Sequence, residues 1–218
     1  MYIIIVGGGD VGRYLCREFL RMGYEVLVIE KDTRKCEVLE EELGSVALCG
    51  DGCEVAVLIK AGINRADMLI AVTPEDDDNL AACQMAKQKF NVPYVIARVN
   101  NPKNVHIFAK LGIEHAVDVT GLIVENIKAR TPTCPLVHLM TFKERNAELI
   151  LLRITEGPLV GKMVKELPLP LGSIVSLLIR QDRESRTPDP ETVLETGDQL
   201  LCFIPSGTEE MLQTFVNP

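Results

Sequence analysis

The sequence has no cluster of Lys and Arg, no paired-cysteine motif and no long apolar run. Its formal net charge is −8 and its pI is near 5.0. This excludes nucleic acid or an anionic membrane surface as the main partner, because both require clustered positive charge. The seven cysteines contain no C-x-x-C pair, so we expect neither a disulfide framework nor a zinc site.

The chain also has no apolar run near the ~18 residues that a membrane span needs. A strand-like segment starts at residue 2, which leaves no room for a signal peptide ahead of it. We therefore expect a reduced, cytoplasmic protein, for which another chain would supply any membrane part. With 218 residues, 47% hydrophobic and 25% charged, the chain can form one doubly wound domain and a smaller companion.

The N-terminal segment combines five features of a nucleotide-binding unit. The apolar run Tyr2–Val6 leads into a G-x-G-x-x-G motif, an amphipathic segment follows, and a second apolar run ends at Glu30. Gly7 allows the turn, Gly9 lets the backbone approach a phosphate, and Gly12 lets the helix pack on the sheet. The helix N-terminus then offers free N–H groups to that phosphate. The alternative is a plain glycine turn with a solvated glutamate.

Glu30 indicates which nucleotide such a site would take. A carboxylate at the end of the second strand accepts hydrogen bonds from both ribose hydroxyls and repels a 2′-phosphate. The sequence therefore favours NAD or an adenine mononucleotide over NADP.

The following segments alternate between helix and strand, which is typical of an α/β Rossmann-like fold with a doubly wound parallel sheet of six strands. Strand runs such as Ile3–Val6 and Leu69–Val72 are apolar throughout, as expected when helices cover both faces. After the first unit, the predicted elements are helices Thr33–Leu43, Cys53–Ala61, Asp76–Phe90, Lys103–Leu111 and Leu122–Ala129 and strands Val46–Cys49, Met68–Thr73, Tyr94–Val99 and Ala116–Val117. Their strand ends place Thr73, Arg98 and Asp118 at one edge of the sheet.

Two prolines at residues 132 and 135 predict a linker, because they cannot continue a helix. We expect a nucleotide-binding domain over 1–130, a linker over 131–139 and a small α+β domain over 140–218. The predicted elements of the second domain are strands Ala147–Ile154, Ile174–Arg180 and Gln199–Phe203 and helices Leu159–Leu167 and Thr208–Phe215. Arg180 and Asp198 are candidates for an effector pocket there, although turn geometry also explains Gly197-Asp198.

These residues resemble the regulator of K⁺ conductance (RCK) family of the TrkA/KtrA type. The N-terminal match runs through residues 3–12, 28–32, Gly50-Asp51-Gly52, Ala66-Asp67 and 97–100. The C-terminal match runs through Gly161-Lys162, residues 167–170, Ile179-Arg180, Pro188-Asp189-Pro190 and Gly197-Asp198. Because dehydrogenases share only the first half, the second half discriminates between the two classes.

The resemblance implies a cytosolic gating subunit, peripheral to the inner face of the cell membrane, for a K⁺ transporter whose membrane subunit is a separate chain. It implies dimers that assemble into a ring of eight lobes and pair through the helix bearing Leu122-Ile123-Val124 and Ile127; that helix could instead pack on its own sheet. The candidate cofactor-binding residues are Gly7, Gly9, Asp10, Val11, Gly12, Glu30, Lys31, Asp51, Gly52, Thr73 and Arg98. For Arg98, a surface ion pair is the alternative.

Asp10 departs from family members that bind ATP, where a basic residue of the glycine loop reaches the terminal phosphate. A carboxylate there repels a polyphosphate, and Arg13 only partly offsets it. We therefore expect AMP, ADP or NAD(H) in preference to ATP. No metal ligand is predicted: the family's metal-binding glutamate falls at Thr120, and the acidic run Glu75–Asp78 suits a helix start better than a cation site.

No catalytic residue is predicted. His106, His115 and His138 have no acidic or cysteine partners at ligand spacing, and no proton-transfer constellation stands out. The alternatives to a gating subunit are an NAD-dependent oxidoreductase, which the N-terminal motif alone would permit, and a free-standing soluble nucleotide sensor.

Overall fold

The computed structural model describes residues 1–131, 134–142, 145–180, 183–208 and 211–212. They form two compact units, Met1–Leu122 and Ile123–Pro218; the boundaries at 130 and 140 stay predictions. The helices are α1 (Asp10–Arg21), α2 (Thr33–Leu43), α3 (Val55–Lys60), α4 (Asp76–Gln84), α5 (Val105–Lys110) and α6 (Val119–Arg130). The strands are β1 (Tyr2–Val6), β2 (Glu25–Glu30), β3 (Ala47–Cys49), β4 (Met68–Ala71), β5 (Tyr94–Val99), β6 (His115–Asp118), β7 (Leu136–Phe142), β8 (Ala147–Arg153), β9 (Ile174–Arg180), β10 (Arg183–Arg186) and β11 (Gln199–Pro205).

The first unit contains a six-stranded sheet in the order β3-β2-β1-β4-β5-β6, with every pairing parallel. This is the strand order of a Rossmann fold and confirms the predicted fold class. Both faces of the sheet are covered: Ile4 and Leu69 pack into one buried cluster, whereas Ile3 and Ile5 pack into another. Because successive strand residues point to opposite faces, a strand buried on both sides must be apolar throughout.

The strand order reverses between β1 and β4, and this places the crevice of the sheet. β1 pairs with β2 on one side and with β4 on the other, so that Val6 is level with Ile29 and Ala71. The loops that leave these strands therefore diverge to opposite faces and leave an opening at their carboxyl ends.

Several helices differ from their predicted limits. The segment predicted as Asp76–Phe90 is α4 followed by a π-helical turn over Met85–Lys89, which Phe90 N closes with a 3.3 Å hydrogen bond to Met85 O. The segment predicted to start at Lys103 begins with a 3-10 turn over Pro102–Asn104, and α5 follows it. Element type was thus predictable where periodicity was strong, whereas the ends depend on local hydrogen bonds.

The second unit contains an antiparallel sheet in the order β10-β9-β11-β8-β7, which confirms the predicted small sheet domain. The predicted helix Leu159–Leu167 is wrong: its residues form turns and a single 3-10 turn over Val164–Glu166. Gly161 has φ +82°, and Met163 forms an isolated β-bridge with Val193. Neither conformation fits an α-helix, so the segment does not form the predicted helix.

Two further segments of the second unit differ from or exceed the prediction. Residues 136–139, assigned to the linker, are the first residues of β7, and β10 was not predicted. Residues 132–133 of the linker, and residues 209–210 and 213–215 of the predicted helix Thr208–Phe215, lie outside the described residues. Within the described part of the chain, no helix combines the length and the apolar character of a bilayer span.

Candidate nucleotide-binding site

A cleft of about 540 Å³ opens at the carboxyl edge of the parallel sheet, where the strand order reverses. It is within the size range of small-molecule and cofactor sites. All the predicted cofactor-binding residues line it except Gly12: these are Gly7, Gly9, Asp10, Val11, Glu30, Lys31, Asp51, Gly52, Thr73 and Arg98. The prediction did not name Asp32, Lys35, Cys53, Glu75 and Asp78, which also line the cleft.

Each of the three glycines of the loop is needed for a different structural reason. Gly7 has φ +106°, which side-chain-bearing residues rarely adopt. A Cβ at Gly12 would lie 1.9 Å from the carbonyl oxygen of Gly7, so the fold itself requires this glycine for close helix packing. A Cβ at Gly9 would meet no heavy atom within 4 Å, and its φ of −68° is ordinary. Packing therefore leaves Gly9 unexplained, whereas a ligand that approaches the backbone explains it.

The N-terminus of α1 faces the same cleft. The first intrahelical hydrogen bond runs from Arg13 N to Gly9 O at 2.9 Å, so the N–H groups of Asp10, Val11 and Gly12 precede it. Unpaired N–H groups and the helix dipole together favour an anion at this point. Asp10 opposes that preference, but its carboxylate is 86% exposed and pairs with Arg13 at 2.9 Å.

Glu30 is held in place by two backbone donors. Gly8 N donates to Oε2 at 2.6 Å, and Asp32 N donates to Oε1 at 2.9 Å. The residue is 7% exposed, so it is not the solvated side chain of the alternative interpretation. Each carboxylate oxygen still has acceptor capacity, because one oxygen can accept two hydrogen bonds. A fixed, buried carboxylate with unused lone pairs is well suited to bind a diol.

Asn79, which was not among the predicted site residues, joins two of them. The side chain is fully buried. Its Oδ1 accepts from Thr73 N at 2.8 Å, and its Nδ2 donates to the carbonyl oxygens of Thr73 and Arg98, both at 3.0 Å. It therefore fixes the ends of β4 and β5 to each other. The available signal was a polar residue placed just before the apolar stretch Leu80-Ala81-Ala82 of a helix.

Arg98 presents a guanidinium whose Nε is buried and has no hydrogen-bond partner among the described residues. None of the ion pairs found in the described part of the chain includes it, which disfavours the surface ion pair as its role. A buried donor without a partner is costly. A phosphate or a ribose oxygen in the cleft would satisfy it.

The cleft carries more acidic than basic side chains. Asp10, Glu30, Asp32, Asp51, Glu75 and Asp78 line it, against Lys31, Lys35 and Arg98. Lys31 Nζ pairs with Asp78 Oδ2 at 3.1 Å, a hydrogen bond that raises the pKa of Lys31. Asp51 Oδ1 accepts from Cys53 N at 2.8 Å. Such a lining repels a triphosphate more than a mono- or diphosphate.

Asp76, which belongs to the acidic run Glu75–Asp78, has a structural role. Its oxygens accept from Asn100 N at 2.7 Å, from Asn101 N at 3.1 Å and from Asn104 Nδ2 at 2.8 Å. Burial opposes ionisation, but these hydrogen bonds outweigh it and lower the pKa of Asp76. Among the described residues, no group of three or more His, Cys, Asp or Glu side chains is arranged to hold a metal ion.

The second-unit candidates Arg180 and Asp198 bind each other. Arg180 Nε donates to Asp198 Oδ1 at 2.7 Å, and Nη2 donates to Oδ2 at 2.8 Å. Asp198 is 1% exposed, and it also accepts from Glu195 N at 2.9 Å. Arg180 Nη1 also pairs with Glu195 Oε1 at 2.8 Å. The bidentate Arg180–Asp198 pair connects β9 to the turn before β11, so its geometry is that of a structural tie.

The apolar side chains of α6 are largely exposed in the single chain. Leu122, Ile123, Val124 and Ile127 are 52%, 55%, 43% and 61% exposed. A helix face packed on its own sheet would be buried, so this exposure favours the alternative in which another surface covers these residues.

One pairing contradicts the expectation from the cysteine spacing. Cys36 and Cys49 are joined by a disulfide, with their Cα atoms 6.0 Å apart. The other described cysteines, Cys16, Cys53, Cys83, Cys134 and Cys202, are free. A separation of 13 residues matches no paired-cysteine motif such as C-x-x-C. The two residues meet because α2 lies alongside β3.

Comparison with known proteins identifies both halves of the chain. The TrkA-N domain model matches residues 3–119 and the TrkA-C domain model matches residues 149–217. The Trk system potassium uptake protein TrkA of Mycobacterium tuberculosis is 30% identical over 220 residues, which cover 100% of this chain and 99% of that protein. The TrkA homolog of Methanothermobacter thermautotrophicus is 29% identical over 204 residues, 94% of each chain.

Among solved structures, the GsuK channel bound to NAD superposes with a TM-score of 0.65 at 23% identity. The match covers 100% of this chain but 39% of the channel chain. At this level of identity the likeness shows the fold alone. It agrees with the parallel sheet followed by the small antiparallel sheet.

Proposed function

The chain belongs to the TrkA family, with a TrkA-N domain followed by a TrkA-C domain, and we propose that it is the nucleotide-binding regulatory subunit of a K⁺ transporter. In this proposal the subunit lies in the cytoplasm at the inner face of the membrane and binds an integral-membrane K⁺-transport subunit encoded separately. Dimers assemble through α6 into an octameric ring, and the nucleotide changes the shape of that ring.

The observation that carries the proposal is the combination of Gly9 and Glu30 in one cleft. Gly9 leaves open space where a Cβ would stand, and Glu30 holds a buried carboxylate in the lining of the same cleft. The first suits a phosphate at the helix N-terminus and the second suits a ribose diol. Together they match the phosphate and the ribose of an adenosine phosphate.

We propose AMP, ADP or NAD(H) as the bound nucleotide, in preference to ATP. In this proposal the helix N-terminus and Arg98 hold phosphate and Glu30 holds the ribose. The acidic lining of the cleft and the position of Asp10 support this order of preference, because each further phosphate adds repulsion. Glu30 also disfavours NADP.

In this proposal the nucleotide acts through differential binding. A nucleotide shifts a two-state ring only by the ratio of its affinities for the two shapes, and a shift from 1:99 to 99:1 needs a ratio of about 10⁴. Several sites in one ring can together supply this ratio of affinities, because the ratios of the individual sites multiply. An octamer of weakly selective sites therefore suffices to switch the pore.

The enzyme alternative is disfavoured by the lining of the cleft. An NAD-dependent oxidoreductase needs a proton-transferring group beside the cofactor. The described lining includes no His or Tyr; of its two lysines, Lys31 and Lys35, the first is paired with Asp78 at 3.1 Å. Burial raises the pKa of the Cys53 thiol to about 12, so that thiol stays protonated near neutral pH. A free-standing nucleotide sensor shares every site feature and differs only in its partner.

The experiment that tests the proposal combines calorimetry with a mass measurement. We expect purified wild-type chain to bind AMP, ADP or NAD(H) more tightly than ATP or NADP and to have the mass of an octamer by light scattering. A panel of hydroxy-acid and aldehyde substrates should give no hydride transfer. Co-purification with the membrane protein of a neighbouring K⁺-transport gene separates a gating subunit from a free sensor. If no adenosine compound binds, or if only single protomers are found at high concentration, the proposal is wrong.

A further inference from the structure

We infer that Cys36 and Cys49 form a thiol–disulfide modification site that sets the nucleotide affinity of the neighbouring cleft. Cys36 lies in the first turn of α2, and Cys49 is the last residue of β3. Their Cα atoms are 6.0 Å apart, inside the range of natural disulfides. The inference rests on the proposed function, because it concerns the affinity of that same cleft.

The disulfide lies directly against the strand residue that carries the cleft carboxylate. Cys36 Sγ is 3.3 Å from the carbonyl oxygen of Glu30, and Cys49 is the register partner of Glu30 in the β2–β3 pair. The next residue, Gly50, donates its N–H to the same carbonyl at 2.9 Å. Both cysteines thus adjoin the backbone of Glu30, one from α2 and one from β3.

The bond also joins the two sides of the cleft rim. On the α2 side, Asp32 caps the helix by accepting from Arg34 N at 2.9 Å, and it donates its own N–H to Glu30 Oε1 at 2.9 Å. On the β3 side, Gly50-Asp51-Gly52 continue from Cys49 into the lining of the cleft. A covalent link between α2 and β3 therefore limits how far these two sides can separate.

The two oxidation states differ at the backbone of Glu30. As a thiol, Cys36 donates its S–H to Glu30 O; as half of a disulfide it has no proton to donate. Reduction thus exchanges a covalent tie between α2 and β3 for a weak hydrogen bond within one side of the rim. The geometry of Glu30 is set by both of these neighbours, so its diol-binding position responds to the change.

Exposure decides how the bond is broken. Cys49 is exposed, whereas Cys36 is 2% exposed, so an incoming small-molecule thiolate attacks the Cys49 sulfur. The Cys36–Cys49 bond breaks, a mixed disulfide forms at Cys49, and Cys36 leaves as a thiolate that takes a proton. A second thiol then releases Cys49. Overall, two small-molecule thiols become one disulfide and the protein gains two thiols; a small-molecule disulfide reverses the reaction.

Four of the five other described free thiols are poor competitors. Burial raises the pKa of Cys16 to about 11 and the pKa values of Cys53, Cys83 and Cys202 to about 12, and the thiolate is the reactive form. A cytoplasmic disulfide is usually transient and regulatory, because glutathione and thioredoxin keep other thiols reduced. A single exchangeable pair beside a ligand site fits that pattern.

We expect the oxidised protein to bind AMP or NAD more tightly, because a rim held in its bound arrangement has less freedom to lose. The expected difference is on the order of 3- to 10-fold. Linkage requires the converse: a tenfold preference means that saturating nucleotide lowers the reduction potential of the pair by about 30 mV.

The experiment uses wild-type protein equilibrated in oxidised and in reduced glutathione buffers. Non-reducing peptide mapping by mass spectrometry reports whether Cys36 and Cys49 are joined, and calorimetry with AMP and with NAD reports affinity in each state. Cys36→Ser and Cys49→Ser should remove the redox dependence, whereas Cys134→Ser should keep it. The wild-type comparison needs no substitution, so it stands even if a variant folds poorly.

The outcomes separate the two proposals. Recovery of the Cys36–Cys49 peptide together with a several-fold affinity difference supports the inference. Failure to recover that peptide at any glutathione ratio overturns it, and so does equal affinity in both states, while the proposed function stands. Absence of nucleotide binding in both states overturns the inference and the proposed function together.

Discussion

The backbone N–H of Gly8 donates a 2.6 Å hydrogen bond to Oε2 of Glu30. This bond connects the glycine loop after β1 to the end of β2, 22 residues later in the chain. A Cβ at Gly8 would lie 3.0 Å from Oε2 and 2.7 Å from Leu39 Cδ1, so the contact also depends on a glycine outside the G-x-G-x-x-G positions. The phosphate end and the ribose end of the proposed site are therefore mechanically linked.

Replacement of Glu30 by alanine should weaken adenine-nucleotide binding by about 1 to 3 kcal/mol, because it removes a charged acceptor from the ribose position. It should also lower the free energy of unfolding, since Gly8 N and Asp32 N lose their acceptor. Calorimetry and urea unfolding measure the two effects. Glu37→Ala, on the exposed side of α2, is the matched control. Unchanged affinity in Glu30→Ala would rule out Glu30 as the ribose ligand.

Alanine substitutions at Gly9 and Gly12 should separate binding from folding. At Gly9 the new Cβ meets no protein atom, so the free energy of unfolding should change by less than about 1 kcal/mol, while nucleotide affinity falls at least tenfold. At Gly12 the Cβ overlaps the Gly7 carbonyl oxygen at 1.9 Å, so stability should fall by about 1 to 3 kcal/mol or more. Calorimetry and urea unfolding of both variants test this; wild-type affinity in Gly9→Ala would contradict the phosphate position.

The lowered pKa of Asp76 predicts a pH-dependent contribution to stability. Because its folded-state pKa lies below the ordinary value, the contribution is fully present above the unfolded-state pKa of about 3.9 and is lost as pH falls through the folded-state pKa. Asp76→Asn should cost about 1 to 3 kcal/mol at pH 7, and the difference from wild type should shrink below about pH 4. Urea unfolding across pH 3 to 7 measures this effect.

Asp77→Asn is the control for Asp76, because it removes a charge from the same helix turn. Asp77 is exposed and interacts mainly with the helix dipole, worth about 0.3 to 1 kcal/mol. An equal loss in both variants at pH 7 would mean that the hydrogen bonds to Asn100, Asn101 and Asn104 add nothing.

Removal of Arg180 should destabilise the second unit strongly. Asp198 is 1% exposed, and loss of its bidentate partner should cost about 3 to 5 kcal/mol at pH 7, because a charge stays buried without its counter-ion. Arg21→Ala, which breaks the exposed pair with Glu18, should cost no more than about 1 kcal/mol. Thermal or urea unfolding compares the two, and similar losses would show that burial of the Arg180–Asp198 pair has no energetic consequence.

The parallel sheet was predictable because its central strands β1 and β4 are apolar on both faces and each connection contains a short helical segment. α2, β5 and β9 have the predicted limits Thr33–Leu43, Tyr94–Val99 and Ile174–Arg180. The second half was less predictable: Leu159–Leu167 has apolar residues at helical spacing, yet a β-bridge at Met163 and a left-handed Gly161 fix it otherwise. In that segment a contact with distant residues outweighs local preference.

The residues of the proposed site were largely predictable from the sequence, as the parallel sheet was, but the contact that joins two of them was not. The strand, the glycines and Glu30 follow one another in sequence, and parallel strands bring their carboxyl ends to one edge, which is why Thr73 and Arg98 fall in the same cleft. Their connection through Asn79 was not predictable, since a buried amide leaves no distinctive pattern in a helix that starts with three aspartates.

The sequence by itself determined the apolar strands, the glycine turn into α1 and the acid at the end of β2, because these depend on side-chain periodicity and backbone freedom within short segments. Only the tertiary structure decided that Asn79 bridges β4 and β5, that Asp76 holds the Asn100–Asn104 turn and that Cys36 meets Cys49. These contacts join residues far apart in the chain, and their geometry is set by strand register and helix packing rather than by any local pattern.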